Sequence, residues 1–260
     1  MVRRILVSLR SFWTDASPVE RIAYCVGALL FASGLAHLAI LIATGGDWQG
    51  PRSLRKPVTF GLSFGLTLIT IVWVASFVRL GRATRVVLLG VFMVACVLET
   101  ALISMQAWRG VPSHFNVETP FDAAVTGFLA GGGVTLVLVI LTLTIAAFRS
   151  NPRVPVSLTT AVRVGLLTLC GSLAVGALMI ARGMTLARSG DPEAAYATGG
   201  ALKPTHGALM HGVLLLPLVA WLLGFTDWNE RRRLVVVSVA SCAYVGIAAA
   251  VAAGNLAGMW

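Results

Sequence analysis

The sequence predicts an all-α polytopic membrane protein with seven transmembrane helices. Composition comes first: 57% of the 260 residues are apolar and only 12% are charged, about half the charged share of an average soluble domain. Seven mostly apolar runs follow, at 22–44, 57–79, 85–108, 122–148, 158–183, 206–225 and 234–257. Each is long enough to cross a hydrocarbon core of about 30 Å as a helix. The links between them are short, so 17–260 reads as a single seven-helix domain and 1–16 as a separate interfacial segment.

In that first segment Val2, Ile5, Leu6, Leu9 and Trp13 recur at helical spacing, while Arg3, Arg4 and Arg10 fall elsewhere. This is the pattern of an amphipathic helix lying among lipid headgroups. The first long run is too long for a cleavable leader and is expected to stay as an anchor. Its entry, Ser17-Pro18-Val19-Glu20, is a capping-box signature with proline at the first helical position, which starts the helix near Pro18. Gly61 and Gly65 form a GxxxG, and Gly127 and Gly131 another, continued by Gly132 and Gly133. Both predict close helix contact. Pro217 interrupts the sixth run and frees the Val213 carbonyl, which predicts a kink there. Cys25, Cys96, Cys170 and Cys242 all fall inside the runs without a CxxC pair, so they read as small core residues.

The runs contain an internal repeat. Ala23–Gly45 matches Ala161–Gly183 at 10 of 23 positions, Gly27 with Gly165 among them. Lys56-Pro57 recurs as Lys203-Pro204, 147 positions on, and Arg85 recurs as Arg233, 148 positions on. Helices one to three and five to seven would then be parallel repeats joined by helix four, a 3+1+3 plan.

Thirteen of the basic residues fall on one side of this plan and seven on the other. The positive-inside rule therefore predicts a cytoplasmic N-terminus and an outer C-terminus; a bacterial cytoplasmic membrane is the expected location. The formal charge of +10 then reflects topology and attraction to anionic lipid on the cytoplasmic side, and not nucleic-acid binding. The lipid bilayer is the one partner implied; no protein partner is named. Trp48, Trp108 and Trp260 are expected at the outer interface and Trp228 at the inner one.

Candidate chemistry gathers at the outer side. Three loops there carry Arg55 and Lys56; Arg109, His114, Asn116 and Asp122; and Lys203, His206 and His211. At 1.5 Å per residue His37 lies about 10 Å below the end of its helix, His211 about 7.5 Å and Glu99 about 13 Å. Gln106 is two turns above Glu99 on the same face, and Ser33 shares the face of His37. An outward-opening pocket containing His37, His211, Glu99, Ser33 and Gln106 is the expectation. Ionisable groups at such depth face a cavity or a partner. His206 and His211 are five apart, about 140° around a helix, so a regular helix cannot turn both to one metal.

The segments LRKPVTFGLS, QAWRGVPSHFN with TPFD, and KPTHGALMHG resemble those of a group of bacterial multipass membrane proteins to which no activity is attached. The resemblance implies the seven-helix plan and nothing chemical. Ser33-x3-His37 is also similar to the first element of alkaline ceramidases and progestin-receptor-like hydrolases. Those carry a late HxxxH where this chain has His206-x4-His211, and Asp122 sits in a different context from their aspartate. SWEET-type sugar carriers are similar in the 3+1+3 plan alone.

Three readings follow. His37, His211 and His206 are candidate ligands of a haem or divalent metal, with Glu99 as proton-transfer or orienting group. Alternatively the repeats rock around a central site, Glu99 couples to protons, and Arg55, Lys56 or Lys203 attract an anionic solute. Third, the outer loops hold a lipid or another membrane protein.

Overall fold

The computed structural model describes residues 1–50, 52–198 and 202–258, without the side chains of 192, 197 and 198. Among these residues the secondary structure is entirely helical: α1 (Val2–Thr14), α2 (Pro18–Ala43), α3 (Arg55–Phe77), α4 (Arg82–Trp108), α5 (Pro120–Ala147), α6 (Val156–Arg188), α7 (Pro192–Thr198), α8 (Lys203–Met210), α9 (Gly212–Leu223) and α10 (Glu230–Ala257). Seven spans long and apolar enough to cross a membrane result, α8 and α9 together making the sixth. All seven begin two to four residues before the apolar runs do, and side chains cap the starts of α2, α5 and α10. At α2 the Ser17 N–H and hydroxyl both donate to Glu20 Oε2 at 2.7 Å, as the capping signature predicts. Thr119 accepts from the Asp122 N–H at the start of α5, and Asn229 accepts from the Arg232 N–H at the start of α10. Trp260 and Pro51 lie outside the described residues.

The spans pack as two triads. In one, α2, α3 and α4 touch pairwise; in the other, α6, the α8–α9 pair and α10 do the same; α5 lies between α4 and α6. The triads meet where α3 touches α9 and α6. Glycine decides how closely the first two helices of each triad approach. A Cβ on Gly65 would lie 2.7 Å from the Gly27 carbonyl, and one on Gly61 would lie 2.7 Å from the Gly34 backbone. In the second triad a Cβ on Gly165 would lie 2.9 Å from the Gly212 carbonyl. Gly165 is the repeat counterpart of Gly27, and Gly212 stands 147 positions after Gly65, so the same crossing recurs in both halves. A further match is electrostatic. Arg85 donates to the Val78 carbonyl at 3.1 Å and Arg233 to the Thr226 carbonyl at 2.7 Å, each reaching back seven residues.

The second glycine pair is a correction: a Cβ on Gly127, Gly131 or Gly133 would meet nothing within 4 Å. Only Gly132 of that group is in close contact, with the Glu99 side chain. Glycine spacing marks a face that permits approach, and no helix has taken up this one.

The sixth span breaks at His211, six residues before Pro217. The Tyr244 hydroxyl donates to the Ala208 carbonyl, the acceptor a continuous helix would offer to the Gly212 N–H. The break thus falls ahead of Pro217, the position the sequence marks for a kink, and a side chain of α10 takes up the Ala208 carbonyl there.

Segment α1 is helical, as its periodicity predicts. Phe12 packs edge-on against Trp73 and Phe77 of α3 and tilted against Trp221 of α9, all at 6.0–6.1 Å. Trp221 Nε1 donates to Ser8 Oγ at 3.2 Å. The helix therefore touches the ends of α3 and α9, one from each triad. Arg21 caps its last turn by donating to the Trp13 and Thr14 carbonyls. The face bearing α1 is called the N-terminal face below.

Candidate functional site

On the opposite face, Arg55 and Lys56 open α3 and Lys203 opens α8. The repeat pair Lys56 and Lys203 thus lies on one face, within electrostatic reach of each other. Lys56 feels the charges of Lys203 and Arg55, and Lys203 feels that of Arg55. Among the described residues the ion pairs are Glu20–Arg85 and Asp122–Arg109, so none of the three cations has an acidic partner there. Arg55 Nε is sealed from solvent without a hydrogen-bond partner. A helix N-terminus carries partial positive charge, and a cation placed there costs roughly 0.3–1 kcal/mol. Three unneutralised cations on two N-termini make a site that an anion would stabilise.

The loop from Arg109 to Thr119 is held over this site by a polar clamp. Asp122 is buried and accepts from Thr119 Oγ1 at 2.6 Å, Gln106 Nε2 at 2.8 Å and Arg109 at 2.6 Å. Arg109 also donates to Gln106 Oε1 and lies 4.8 Å over the Phe121 ring. The TPFD motif is therefore a helix cap whose carboxylate fastens the loop. Buried Asn116 accepts from the Glu118 N–H at 3.1 Å, and its own carbonyl accepts from Thr126 Oγ1 at 2.9 Å. Phe115 adopts φ 61°, a left-handed conformation costly for a bulky residue. Its ring occupies the space that a side chain at Gly183 of α6 would fill.

Lys56 and His114 are joined through this loop. Lys56 Nζ donates to Ser113 Oγ at 3.4 Å, and Ser113 Oγ stands 2.9 Å from His114 Nδ1. Burial first, and the Lys56 charge second, push the His114 imidazole down to about 3.

Below the cations a polar seam runs inward. Lys56, Ser63, Thr67 and Thr70 fall within a stripe about 60° wide on α3 at 100° per residue. Ser63, Thr67 and Thr70, with Phe31, Leu62 and Leu66, line one side of an open cavity of about 140 Å³ whose other side is Met210, His211, Val213 and Leu214. The cavity thus sits between α3 and the broken sixth span. His211 Nδ1 donates to the Gly207 carbonyl at 2.6 Å, leaving Nε2 without a protein partner.

The expected single pocket is not what the structure assembles. His37 accepts at Nε2 from Trp108 Nε1 at 3.1 Å, which can only donate. Its Nδ1 therefore carries the hydrogen and donates to the Ser33 carbonyl at 2.8 Å, with Ser33 Oγ at 3.5 Å. Both ring nitrogens are occupied by α2 and α4. His206 is held by Ser172 of α6, its Nδ1 2.8 Å from the Ser172 carbonyl. Among the described residues no group of three or more His, Cys, Asp or Glu side chains is placed to hold a metal ion. Gln106 binds Asp122 and Arg109, and the apolar cluster of Ile103, Val125 and Leu129 lies between it and Glu99 by helix register. Glu99 is buried against Gly132 of α5, with Oε1 lacking a hydrogen-bond partner. Depth along a helix was legible; azimuth about neighbouring helices was not.

Sequence reasoning missed Ser63, Thr67 and Thr70, although their spacing of seven, eleven and fourteen from Lys56 was a usable signal. Comparisons with protein-family models, curated proteins and solved structures give no match to this chain.

Proposed function

We propose that the protein carries a small anionic solute across the membrane, admitted at Arg55, Lys56 and Lys203 and passed along the seam between its two halves. The observation that carries this reading is the placement of the three cations, two of them repeat counterparts, at two helix N-termini within electrostatic reach of one another and with no ion pair to an acidic group among the described residues. The cavity against the broken sixth span, mainly apolar but with three hydroxyls in its lining, supports it, because discontinuous helices at a repeat interface are where carriers bind solutes. Glu99 supports coupling to protons: a carboxyl group this buried, with one oxygen unpartnered, is placed to exchange a proton and not to pair with a cation. The haem or metal reading draws less support, since His37 has no free ring nitrogen.

The test is ligand-induced thermal stabilisation of detergent-purified protein by acetate, succinate, phosphate and sulfate. At least one anion is expected to stabilise saturably, with binding about tenfold weaker in Lys56→Gln and again in Lys203→Gln, the loss of about 1.4 kcal/mol that one charge-assisted contact supplies. Wild type indifferent to the whole panel, or variants binding as wild type does, overturns the reading. Glu99→Gln is expected to keep the binding.

A further inference from the structure

The N-terminal face holds a second, larger cavity, of about 870 Å³, beneath α1 and bounded by the first turns of α2, the end of α3 and residues 151–154. That volume suits a headgroup-sized ligand. Three arginines are among the residues that line it: Arg79, Arg85 and Arg153. Arg85 is engaged, donating to Glu20 at 2.9 Å and to the Val78 carbonyl at 3.1 Å. Glu20 is likewise engaged by Ser17, and Asp15 at the rim accepts from the Thr14 hydroxyl. The Arg79 and Arg153 side chains, by contrast, make no hydrogen bond or ion pair within the described protein. Two exposed arginines without a protein partner at the wall of this half-polar cavity can supply planar forks that match the oxygens of a phosphate ester.

The setting indicates where that phosphate comes from. Val2, Leu6, Leu9 and Trp13 remain exposed along one stripe of α1, while Phe12 and Ser8 on its other side bind the bundle. A helix with such a stripe lies with its apolar side at the boundary between headgroups and acyl chains. The cavity beneath it is then level with lipid phosphates. We infer that this cavity is a binding site for the phosphate of an anionic phospholipid, held by Arg79 and Arg153 under α1. This inference is independent of the solute site on the opposite face.

Lipid retention measured by native mass spectrometry tests it, on protein taken from nanodiscs of phosphatidylcholine mixed with phosphatidylglycerol. Wild type is expected to retain phosphatidylglycerol selectively, and the Arg79→Gln/Arg153→Gln double variant to retain it about tenfold less. Neither side chain bonds to the protein, so the variant folds; size exclusion checks this. Arg231→Gln/Arg232→Gln removes two exposed charges outside the cavity and is expected to leave retention unchanged. Equal retention by the double variant, or an equal loss in the control, overturns the site. Inorganic phosphate or glycerol 3-phosphate protecting Arg79 and Arg153 from phenylglyoxal in pure phosphatidylcholine discs, with no selective lipid retention, makes the ligand a soluble phosphate and overturns the lipid assignment.

Discussion

Lys56 and Lys203 show how a residue type that looks ordinary at the edge of a membrane span acquires a role through its neighbours. Each alone reads as an interfacial lysine. Together with Arg55 they make three positive charges without an ion pair among the described residues, a fact that sequence spacing between separate helices does not reveal. His114 makes a second prediction at this scale. Its folded-state value of about 3 lies below the unfolded 6.5, so between those limits the unfolded chain binds the proton and the folded chain does not. Stability is therefore full above about pH 6.5 and falls progressively as the pH drops toward 3. Thermal denaturation of wild type and His114→Gln is expected to diverge as the pH is lowered below 6.5, the variant losing less; parallel curves would contradict the burial of a titrating imidazole. Asp122 was legible as a polar outlier, but its partner set was not: it closes a cap and fastens a loop where a site role was expected.

At the scale of helices, sequence periodicity and capping signals located nearly every element, because they depend on residues close in the chain. The start of α2 at Ser17-Pro18 and the amphipathic α1 are examples. Contacts that depend on which helix lies opposite were less legible: Gly61-x3-Gly65 is a tight crossing, whereas Gly127-x3-Gly131 is bare. The difference is measurable. Gly65→Ala would place a Cβ 2.5 Å from the Phe31 backbone nitrogen, an overpacking expected to cost about 1–3 kcal/mol. Gly131→Ala adds helix propensity in open space and is expected to raise stability, by up to about 1 kcal/mol. Unfolding midpoints of the two variants, taken side by side, should move in opposite directions. Phe12→Ala removes the ring that α1 lays between Trp73 and Trp221. Hydrogen exchange in residues 2–14 is expected to accelerate while that of α3 and α9 is unchanged; unchanged exchange in α1 would mean that other contacts dock it.

For the whole molecule, the recurrence of the Gly27–Gly65 crossing as Gly165–Gly212, and of the Arg85 reach as Arg233, makes the two triads alike within the helices and at the N-terminal face. The halves differ where function is proposed. The second half alone is broken at His211, and the first half alone carries Glu99. Such asymmetry between two similar triads fits the proposed carrier, one half offering the moving gate and the other the coupling group. The direct measurement is uptake of radiolabelled anions into proteoliposomes, comparing wild type with the Lys56→Gln/Lys203→Gln double variant and with Arg231→Gln/Arg232→Gln. The account predicts saturable uptake by wild type and by the control, and uptake lowered at least about tenfold in the double variant, as expected from two lost charge-assisted contacts. No anion uptake by wild type above protein-free liposomes, or undiminished uptake by the double variant, would contradict it.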